Sequence, residues 1–201
     1  MTVVVVPFHE GKSRLSDRRH VRRTIGLAML HDVVSACTAV GRTVVVTDDD
    51  DAARQVSERG VGLARDPGDG QGAAVAAALS ELDEPEPVLV VNADLACAVP
   101  HDLRTLLVAT PLGGLALVEA ADGTTNALSL PAPQVFAPLY GRASAERFLD
   151  HGRSLGLEAV SVAVPNLADD VDTLADLHRL QLRVGPRTQA ALVEVEQEIR
   201  V

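Results

Sequence analysis

One lysine and one arginine near the amino terminus are the side chains best suited to bind phosphate groups. Lys12 is the only lysine of the chain, whose other fixed cations are all arginines, and Arg14 lies two positions after it. A compact ammonium on a flexible stem can follow a phosphate as it moves, whereas a planar guanidinium prefers a fixed bidentate partner. We therefore predict that Lys12 and Arg14 form a phosphate clamp, and that Pro7, Gly11 and Ser13 belong to the same ligand-binding loop. The alternative is a solvated loop without a ligand.

The position of this loop supports the phosphate prediction. Residues 3–6 are four valines followed by a proline, which is typical of a strand buried on both faces of a parallel sheet. Open α/β sheets bind ligands at the carboxyl ends of such strands. A Walker loop is excluded, because it would need a glycine five positions before Gly11, where the chain has Val6.

Three aspartates are candidates for binding a hard cation. Asp94 follows a predicted strand at 88–91 and lies too far upstream to cap the helix predicted near residue 100, and carboxylate oxygens suit Mg²⁺. Asp170 and Asp172 would point to one face of an extended segment, because side chains alternate along it. Asp172 also has a structural alternative at the start of the next helix, where Thr173 and Asp176 form a predicted capping box. The pair is harder to explain without a cation.

A glycine-rich segment and a polar turn offer further ligand contacts. Gly70, Gln71 and Gly72 precede a predicted helix at 73–82, so the backbone could approach a ligand and the helix amino end could face it, although the same composition makes an ordinary turn. Thr125 lies in a polar turn between predicted strands at 115–119 and 127–131, which hairpin chemistry alone would explain. Gly141 precedes a helix predicted from Ser144, whose amino end could hold an anion.

The elements that must position these residues alternate between strand and helix. A helix is predicted to follow Ser16, which would cap it. A second helix is predicted at 52–58, with Asp48 or Asp49 as its cap. Four arginines crowd the first turns of the earlier helix, and a solvated face is favoured for them over a role near phosphate. The remaining predicted elements are strands at 43–47, 61–64 and 159–164 and a closing helix at 187–199. This alternation predicts an α/β domain.

Composition limits the function classes. The chain has 201 residues, a net charge of −10 and 2% aromatic residues, which predicts neither a basic stripe nor a stacking platform for a nucleic acid polymer. A single nucleotide bound through a divalent cation remains compatible. The longest uncharged stretch near the middle, 105–118, contains Pro111 and two glycines, so we expect no membrane span. Two cysteines in apolar surroundings and no charged-then-apolar leader predict a reduced, cytoplasmic protein without disulfides. We predict a single domain over 1–201, with a core at 1–184 and a helical extension at 185–201.

Taken in their order along the chain, the candidate ligand-binding segments resemble one family, the phosphoenolpyruvate or 2-phospho-L-lactate guanylyltransferases of coenzyme F(420) biosynthesis. The resemblance runs over about residues 3–180, and its strongest pieces are the runs at 12–15, 125–128 and 170–173. It implies a nucleotidyltransferase fold, a three-layer αβα sandwich with a mixed, mostly parallel sheet, similar to molybdenum cofactor guanylyltransferases and sugar nucleotidyltransferases.

The resemblance also implies roles for the candidate residues. Lys12 and Arg14 would hold the phosphates of GTP, and the run Gly70, Gln71, Gly72 would lie on the nucleotide side. The remaining assignments are Asp94, Asp170 and Asp172 as ligands of Mg²⁺ and Thr125, Gly141 and Ser144 as the phosphoenolpyruvate site. The implied reaction joins GMP to phosphoenolpyruvate.

This sequence departs from the family pattern at three of these places, one of which is the run at 141–144, where the expected proline and second glycine are absent. The loop between Pro7 and Lys12 is about three residues shorter than usual, and Gly70, Gln71, Gly72 stands where the family has glycine, leucine, asparagine. Alternatives left open are another nucleotide, another acceptor such as 2-phospho-L-lactate or 3-phosphoglycerate, and a homologue that binds a nucleotide without catalysis. A homodimer is also left open.

Overall fold

Seven strands form one sheet in the order β3, β2, β1, β4, β6, β5, β7. The computed structural model describes residues 1–9, 15–82 and 85–199. The strands are β1 Val3–Pro7, β2 Arg42–Thr47, β3 Gly62–Arg65, β4 Val88–Val91, β5 Leu115–Glu119, β6 Thr125–Leu130 and β7 Ala159–Ser161. Only β6 is antiparallel to its neighbours, β4 and β5. The first residue of β6 therefore lies at the sheet edge where β1 and β4 end.

Helices cover both faces of the sheet. They are α1 Arg19–Thr38, α2 Asp50–Ser57, α3 Gln71–Ser80, α4 Pro100–Ala109, α5 Ser144–Ser154, α6 Pro165–Ala168, α7 Leu174–Leu180 and α8 Pro186–Ile199, with a short 3₁₀ helix at Pro133–Val135. Val4 and Val6 face a core shared with α1, α2 and α4. Val3 and Val5 face a second core shared with α3 and α5. The predicted three-layer αβα sandwich with a mostly parallel sheet is confirmed.

The carboxyl-terminal helix α8 packs on the outer side of α1. The two helices share an apolar cluster with α7 that contains Ile25 and Leu192. Asp32 of α1 binds the first turn of α8, because its carboxylate accepts hydrogen bonds from the Thr188 amide and hydroxyl, both at 2.8 Å. A Cβ atom at Gly185 would overlap that carboxylate. The predicted helix at 187–199 is confirmed.

Several predicted boundaries differ from the structure. The helix predicted after Ser16 begins at Arg19, and Ser16 Oγ accepts the Arg18 amide, at 3.2 Å, rather than an amide of the helix's first turn. Helix α3 begins two residues earlier than predicted, because Gly70 takes a φ of 89° and serves as its N-cap. The last strand ends at Ser161 rather than at 164. The strand at 88–91 and the cap of α2 by Asp49 are confirmed.

Among the described residues, no helix combines the length and the apolar character that crossing a bilayer requires.

Candidate active site

A cleft of about 350 Å³ opens at the edge of the sheet where the parallel strands end. Its walls come from the ends of β1 to β4 and from the facing sides of α1 and α3. Polar residues that line it include Asp49, Asp66, Gln71, Asn92 and Asp94. A concave site with a few converging polar groups at this edge is the usual place for a small ligand in an α/β sheet.

Described residues on both sides of the predicted phosphate clamp line this cleft. Pro7 ends β1 and lines the cleft, and Leu15 lines it from the other end of the loop. Gly11, Lys12, Ser13 and Arg14 lie outside the described residues, so their roles stay predictions.

Two arginines of α1 form part of the cleft wall. Arg18 and Arg19 are exposed, as the favoured solvated face predicts, whereas Arg22 and Arg23 are half-buried and line the cleft. Arg22 Nη1 donates to the carbonyl oxygen of Ser16 at 2.6 Å. For this pair, the solvated-face prediction is wrong, because the amino end of α1 packs beside the strand ends.

Arg23 forms an ion pair with the residue that caps α2. Its Nη1 and Nη2 donate to the two Asp49 carboxylate oxygens at 2.6 and 3.1 Å, and a further contact reaches Asp51. Asp49 Oδ1 also accepts the amides of Asp51 and Ala52, each at 2.9 Å. The hydrogen bond from Arg23 lowers the pKa of Asp49 although burial raises it. The carboxylate is therefore held ionised where the cleft meets α2.

The three aspartates predicted to bind a cation come together beside Asn92 and the end of β4. One carboxylate oxygen from each of Asp94, Asp170 and Asp172 lies within 4.8 Å of the others, and all three residues are half-buried. The Val171 amide donates to the Asp94 carbonyl oxygen at 3.2 Å, which fixes the second segment against the first. Oxygen donors in such an arrangement suit a divalent metal ion. Binding of a metal by these residues stays a prediction.

The neighbouring Asp169 supports this group through a different contact, which sequence reasoning missed. Its two oxygens accept from Arg179 Nη1 at 2.9 Å and from Arg183 Nη1 at 2.8 Å. Burial, the largest single effect, raises the pKa of Asp169, but these hydrogen bonds hold it below its ordinary value. Thr173 and Asp176 form the predicted capping box directly after Asp170 and Asp172. Both ends of the segment 169–173 are thereby fixed.

A second group of possible ligands lies at the outer rim of the cleft. Atoms of His9, Asp48 and Asp66 lie within 4.8 Å of one another, and His9 Nδ1 is 3.7 Å from Asp48 Oδ1. His9 and Asp48 are exposed. The sequence favoured Asp48 or Asp49 as a helix cap, and nothing local signals the approach of Asp48 to His9 and Asp66.

The three residues of the glycine-rich segment at 70–72 do not have the same surroundings. Gly70 has a positive φ and, with Gln71, lines the cleft. Gly72 instead faces the loop after β6, where a Cβ atom would lie 2.8 Å from Pro138 Cβ. Gln71 Nε2 donates to Asn92 Oδ1 at 2.6 Å. The prediction that all three residues bind nucleotide stays a prediction, and the structure gives Gly72 a packing role.

The residues predicted to hold the acceptor are arranged around the start of β6. Thr125 and Ser144 are 1% and 0% exposed, and Ser144 Oγ accepts the Thr125 amide at 2.9 Å and donates to its hydroxyl at 3.1 Å. The helix begins at Ser144 as predicted, with Ala143 as its N-cap, and the Ser144 side chain bonds to β6. Gly141 is exposed with a φ of 108°. Contact of these residues with an acceptor stays a prediction.

Comparisons with known proteins agree with this geometry. A family model described as "Guanylyl transferase CofC like" matches residues 1–192. The phosphoenolpyruvate guanylyltransferase of Streptomyces coelicolor is 39% identical, and the alignment covers 94% of this chain and 93% of that protein. The protein of the same name from Streptomyces scabiei is 38% identical, with 95% and 94% covered. The 2-phospho-L-lactate guanylyltransferase of Natrialba magadii is 34% identical, with 87% and 80% covered.

A solved structure extends the comparison to the fold. A protein of Desulfovibrio desulfuricans G20, provisionally described as a nucleotide-diphospho-sugar transferase, superposes with a TM-score of 0.76 at 16% identity. The match covers 99% of this chain and 96% of that chain. It supports the three-layer architecture and no more specific statement.

Proposed function

Since the chain belongs to the family of CofC-like guanylyl transferases, we propose that it transfers GMP from GTP to phosphoenolpyruvate and releases pyrophosphate. The product would be enolpyruvyl-diphospho-5'-guanosine, a step of coenzyme F(420) biosynthesis. Two relatives named phosphoenolpyruvate guanylyltransferase, at 38 and 39% identity over nearly the whole chain, support this substrate pair. The observation that carries the proposal is the convergence of Asp94, Asp170 and Asp172 beside the cleft.

The proposed chemistry needs alignment and charge neutralisation more than a general base. A phosphate oxygen of phosphoenolpyruvate attacks the α-phosphorus of GTP, and the bond from that phosphorus to the oxygen bridging the β-phosphate breaks. The electron pair leaves with pyrophosphate. A phosphate monoester is already a nucleophile at neutral pH, so no proton must be removed first. The described polar lining of the cleft includes carboxylates, amides and the guanidinium groups of Arg22 and Arg23, which suit alignment and charge neutralisation.

The acidic group is suited to hold the cation that such a reaction uses. We propose that Asp94, Asp170 and Asp172 bind Mg²⁺, which when bound neutralises charge on the two reacting phosphates. Asp94 reaches the group from the end of β4, and the 169–173 segment brings the other two carboxylates. Lys12 and Arg14 would balance the charge of the departing pyrophosphate.

Nucleotide and acceptor would approach this group from opposite sides. The proposed nucleotide side comprises Pro7, the loop 11–14, Gly70, Gln71 and Gly72. The proposed acceptor side comprises Thr125, Gly141 and Ser144 at the amino ends of β6 and α5. A second acceptor, 2-phospho-L-lactate, is favoured by the name of the Natrialba magadii relative.

Pyrophosphate release tests the nucleotide, the acceptor and catalysis together. The purified chain is incubated with Mg²⁺, with GTP, ATP or CTP, and with phosphoenolpyruvate, 2-phospho-L-lactate or 3-phosphoglycerate. We expect release only with GTP, and fastest with phosphoenolpyruvate. Faster release with 2-phospho-L-lactate would replace the acceptor, and faster release with ATP or CTP would replace the nucleotide. GTP binding without release under any acceptor would favour a non-catalytic homologue.

A further inference from the structure

A side-chain amide at the end of β4 connects two walls of the cleft. Asn92 directly follows β4, lines the cleft and precedes Asp94 by two positions. Its Oδ1 accepts from Gln71 Nε2 at 2.6 Å, and its Nδ2 donates to the Thr125 carbonyl oxygen at 3.2 Å. The amide therefore joins the first residue of α3 to the first residue of β6.

Hydrogen bonds continue from this amide through the acceptor side. The Thr125 amide donates to Ser144 Oγ at 2.9 Å, and the Ser144 amide donates to the Gly141 carbonyl oxygen at 3.0 Å. Thr125 and Ser144 are fully buried. Hydrogen bonds of Asn92, Thr125 and Ser144 thus link Gln71, in the cleft wall, to the exposed Gly141.

The Asn92 side chain, with its hydrogen bonds to Gln71 and Thr125, forms a bridge between α3 and β6. This bridge is not needed to hold the sheet together. The pairing of β4 with β6 is already set by the ladder from Val88 to Val91 and is extended by the Asn92 backbone amide, which donates to the Asn126 carbonyl oxygen at 3.1 Å. Helix α3 is held independently, because Ala74, Val75 and Ala78 are buried in the sheet core. The Asn92 side chain adds a contact between elements that are already in place.

We propose that Asn92 is a positioning residue that couples the binding of nucleotide on the Gln71 side to the binding of acceptor on the Thr125 and Ser144 side. Both polar atoms of its amide bind protein groups, so it acts through those groups. A substrate that orders Gln71 also orders Thr125, and the second substrate then meets a site that is already arranged. By linkage, each substrate must tighten the other by the same factor. This inference rests on the proposed function, which assigns the two sides to two substrates.

The coupling can be measured by calorimetry on the full chain with Mg²⁺. The affinity of phosphoenolpyruvate is measured with and without a GTP analogue that cannot be cleaved between the α- and β-phosphates, and the affinity of the analogue is measured with and without phosphoenolpyruvate. For the unsubstituted chain we expect each ligand to tighten the other by about tenfold, a typical size for coupled sites. Asn92→Ala should reduce this factor to less than about twofold.

Two further variants separate coupling from a loss of stability. Gln71→Ala removes the nucleotide end of the bridge together with a proposed nucleotide contact, so it should weaken binding of the GTP analogue and also abolish coupling; combining it with Asn92→Ala should reduce the coupling factor no further. Thr110→Val is the matched control, because the Thr110 hydroxyl bonds to Ser129 Oγ at 2.9 Å near the far end of the same strand. It should lower the melting temperature as Asn92→Ala does and leave coupling intact.

The outcomes separate this inference from the proposed function. Unchanged coupling in folded Asn92→Ala, or equal loss of coupling in Thr110→Val, overturns the bridge even if the unsubstituted chain releases pyrophosphate. A chain that releases no pyrophosphate but shows coupling that Asn92→Ala destroys overturns the proposed function and supports the bridge. A chain that binds neither ligand overturns both.

Discussion

Replacing Gly72 with alanine should impair turnover far more than it impairs folding. Gly72 lies in the first turn of α3, directly after Gln71, and packs against the loop that follows β6. An added Cβ atom would lie 2.8, 3.1 and 3.3 Å from Pro138 Cβ, Cα and C. These atoms belong to a proline ring and its backbone, so no flexible chain end can move aside.

The size of the effect follows from this geometry. Ordinary contact begins at 3.4 Å, so α3 or the Pro138 loop must move by about 0.6 Å. Overpacking of this kind costs about 1–3 kcal/mol, and the better helix propensity of alanine returns up to about 1 kcal/mol. At about 2–4 °C per kcal/mol for a chain of this size, the melting temperature should fall by less than about 12 °C. The displaced wall carries Gln71, and misplacement of about 1 Å can cost about 10²-fold in rate, so we expect kcat/KM to fall at least about tenfold.

Gly60→Ala provides the matched control. Gly60 has a φ of 71° in the turn before β3, and an added Cβ atom would meet nothing within 4 Å. The left-handed backbone should cost about 1–2 kcal/mol without moving the cleft. Both variants are compared by thermal melting and by pyrophosphate release over a range of GTP concentrations. Wild-type kcat/KM in folded Gly72→Ala, or an equal loss in Gly60→Ala, would refute the reasoning.

Four further predictions concern charges at the site. Lys12→Ala should slow pyrophosphate release at saturating substrate by about 10²-fold, the usual cost of losing one preorganised donor, and near-normal turnover would remove the clamp. Asp172→Asn should abolish calorimetric Mg²⁺ binding while circular dichroism stays unchanged, and turnover at ordinary Mg²⁺ concentrations would count against the metal site. Asp169→Asn should weaken Mg²⁺ binding by about 10- to 100-fold, because it removes a contact that supports the metal ligands, and high Mg²⁺ should restore kcat. Unchanged Mg²⁺ affinity would show that Asp169 does not support the metal site. Because Arg23 lowers the pKa of Asp49, the stability from this pair is complete above the ordinary pKa of 3.8 and is lost as pH falls through the lower folded value. Arg23→Gln should therefore reduce the fall in urea midpoint between about pH 5 and pH 3, and an unchanged fall would exclude the pair as its source.

Local pattern was enough to predict most of the sheet. Residues 88–91 are four apolar residues bounded by proline and asparagine, and β4 spans that range. Alternation along residues 170–172 correctly predicted that Asp170 and Asp172 share a face, and the structure places both beside Asp94. Asp169, on the other side of the same segment, contacts arginines instead. In these cases the period of the backbone decides where a side chain points.

Contacts between segments far apart in the chain could not be predicted from the sequence. Asn92 contacts Gln71 and Thr125, which lie 21 and 33 positions away, and nothing in its local surroundings signals either contact. The sequence favours Gly72 as a position where the backbone could approach a ligand, although Pro138 occupies the space that a Cβ atom of residue 72 would need. Such contacts depend on the order of strands in the sheet, which the spacing of apolar residues does not determine.

The antiparallel strand β6 brings the proposed nucleotide side and the proposed acceptor side together. The turn between β5 and β6 is short, so β6 starts at the edge where β5 and β4 end, and Ala127 pairs with Val91. A parallel β6 would begin at the opposite edge and carry Thr125 and Ser144 away from Asn92. With β6 reversed, Asp94 lies at the junction between the β1 to β4 cleft and the start of β6, and the Val171 amide brings the other two carboxylates to it. In the proposed transfer both phosphates reach one cation, and within the described part of the chain this junction is where three carboxylates meet the proposed nucleotide and acceptor sides.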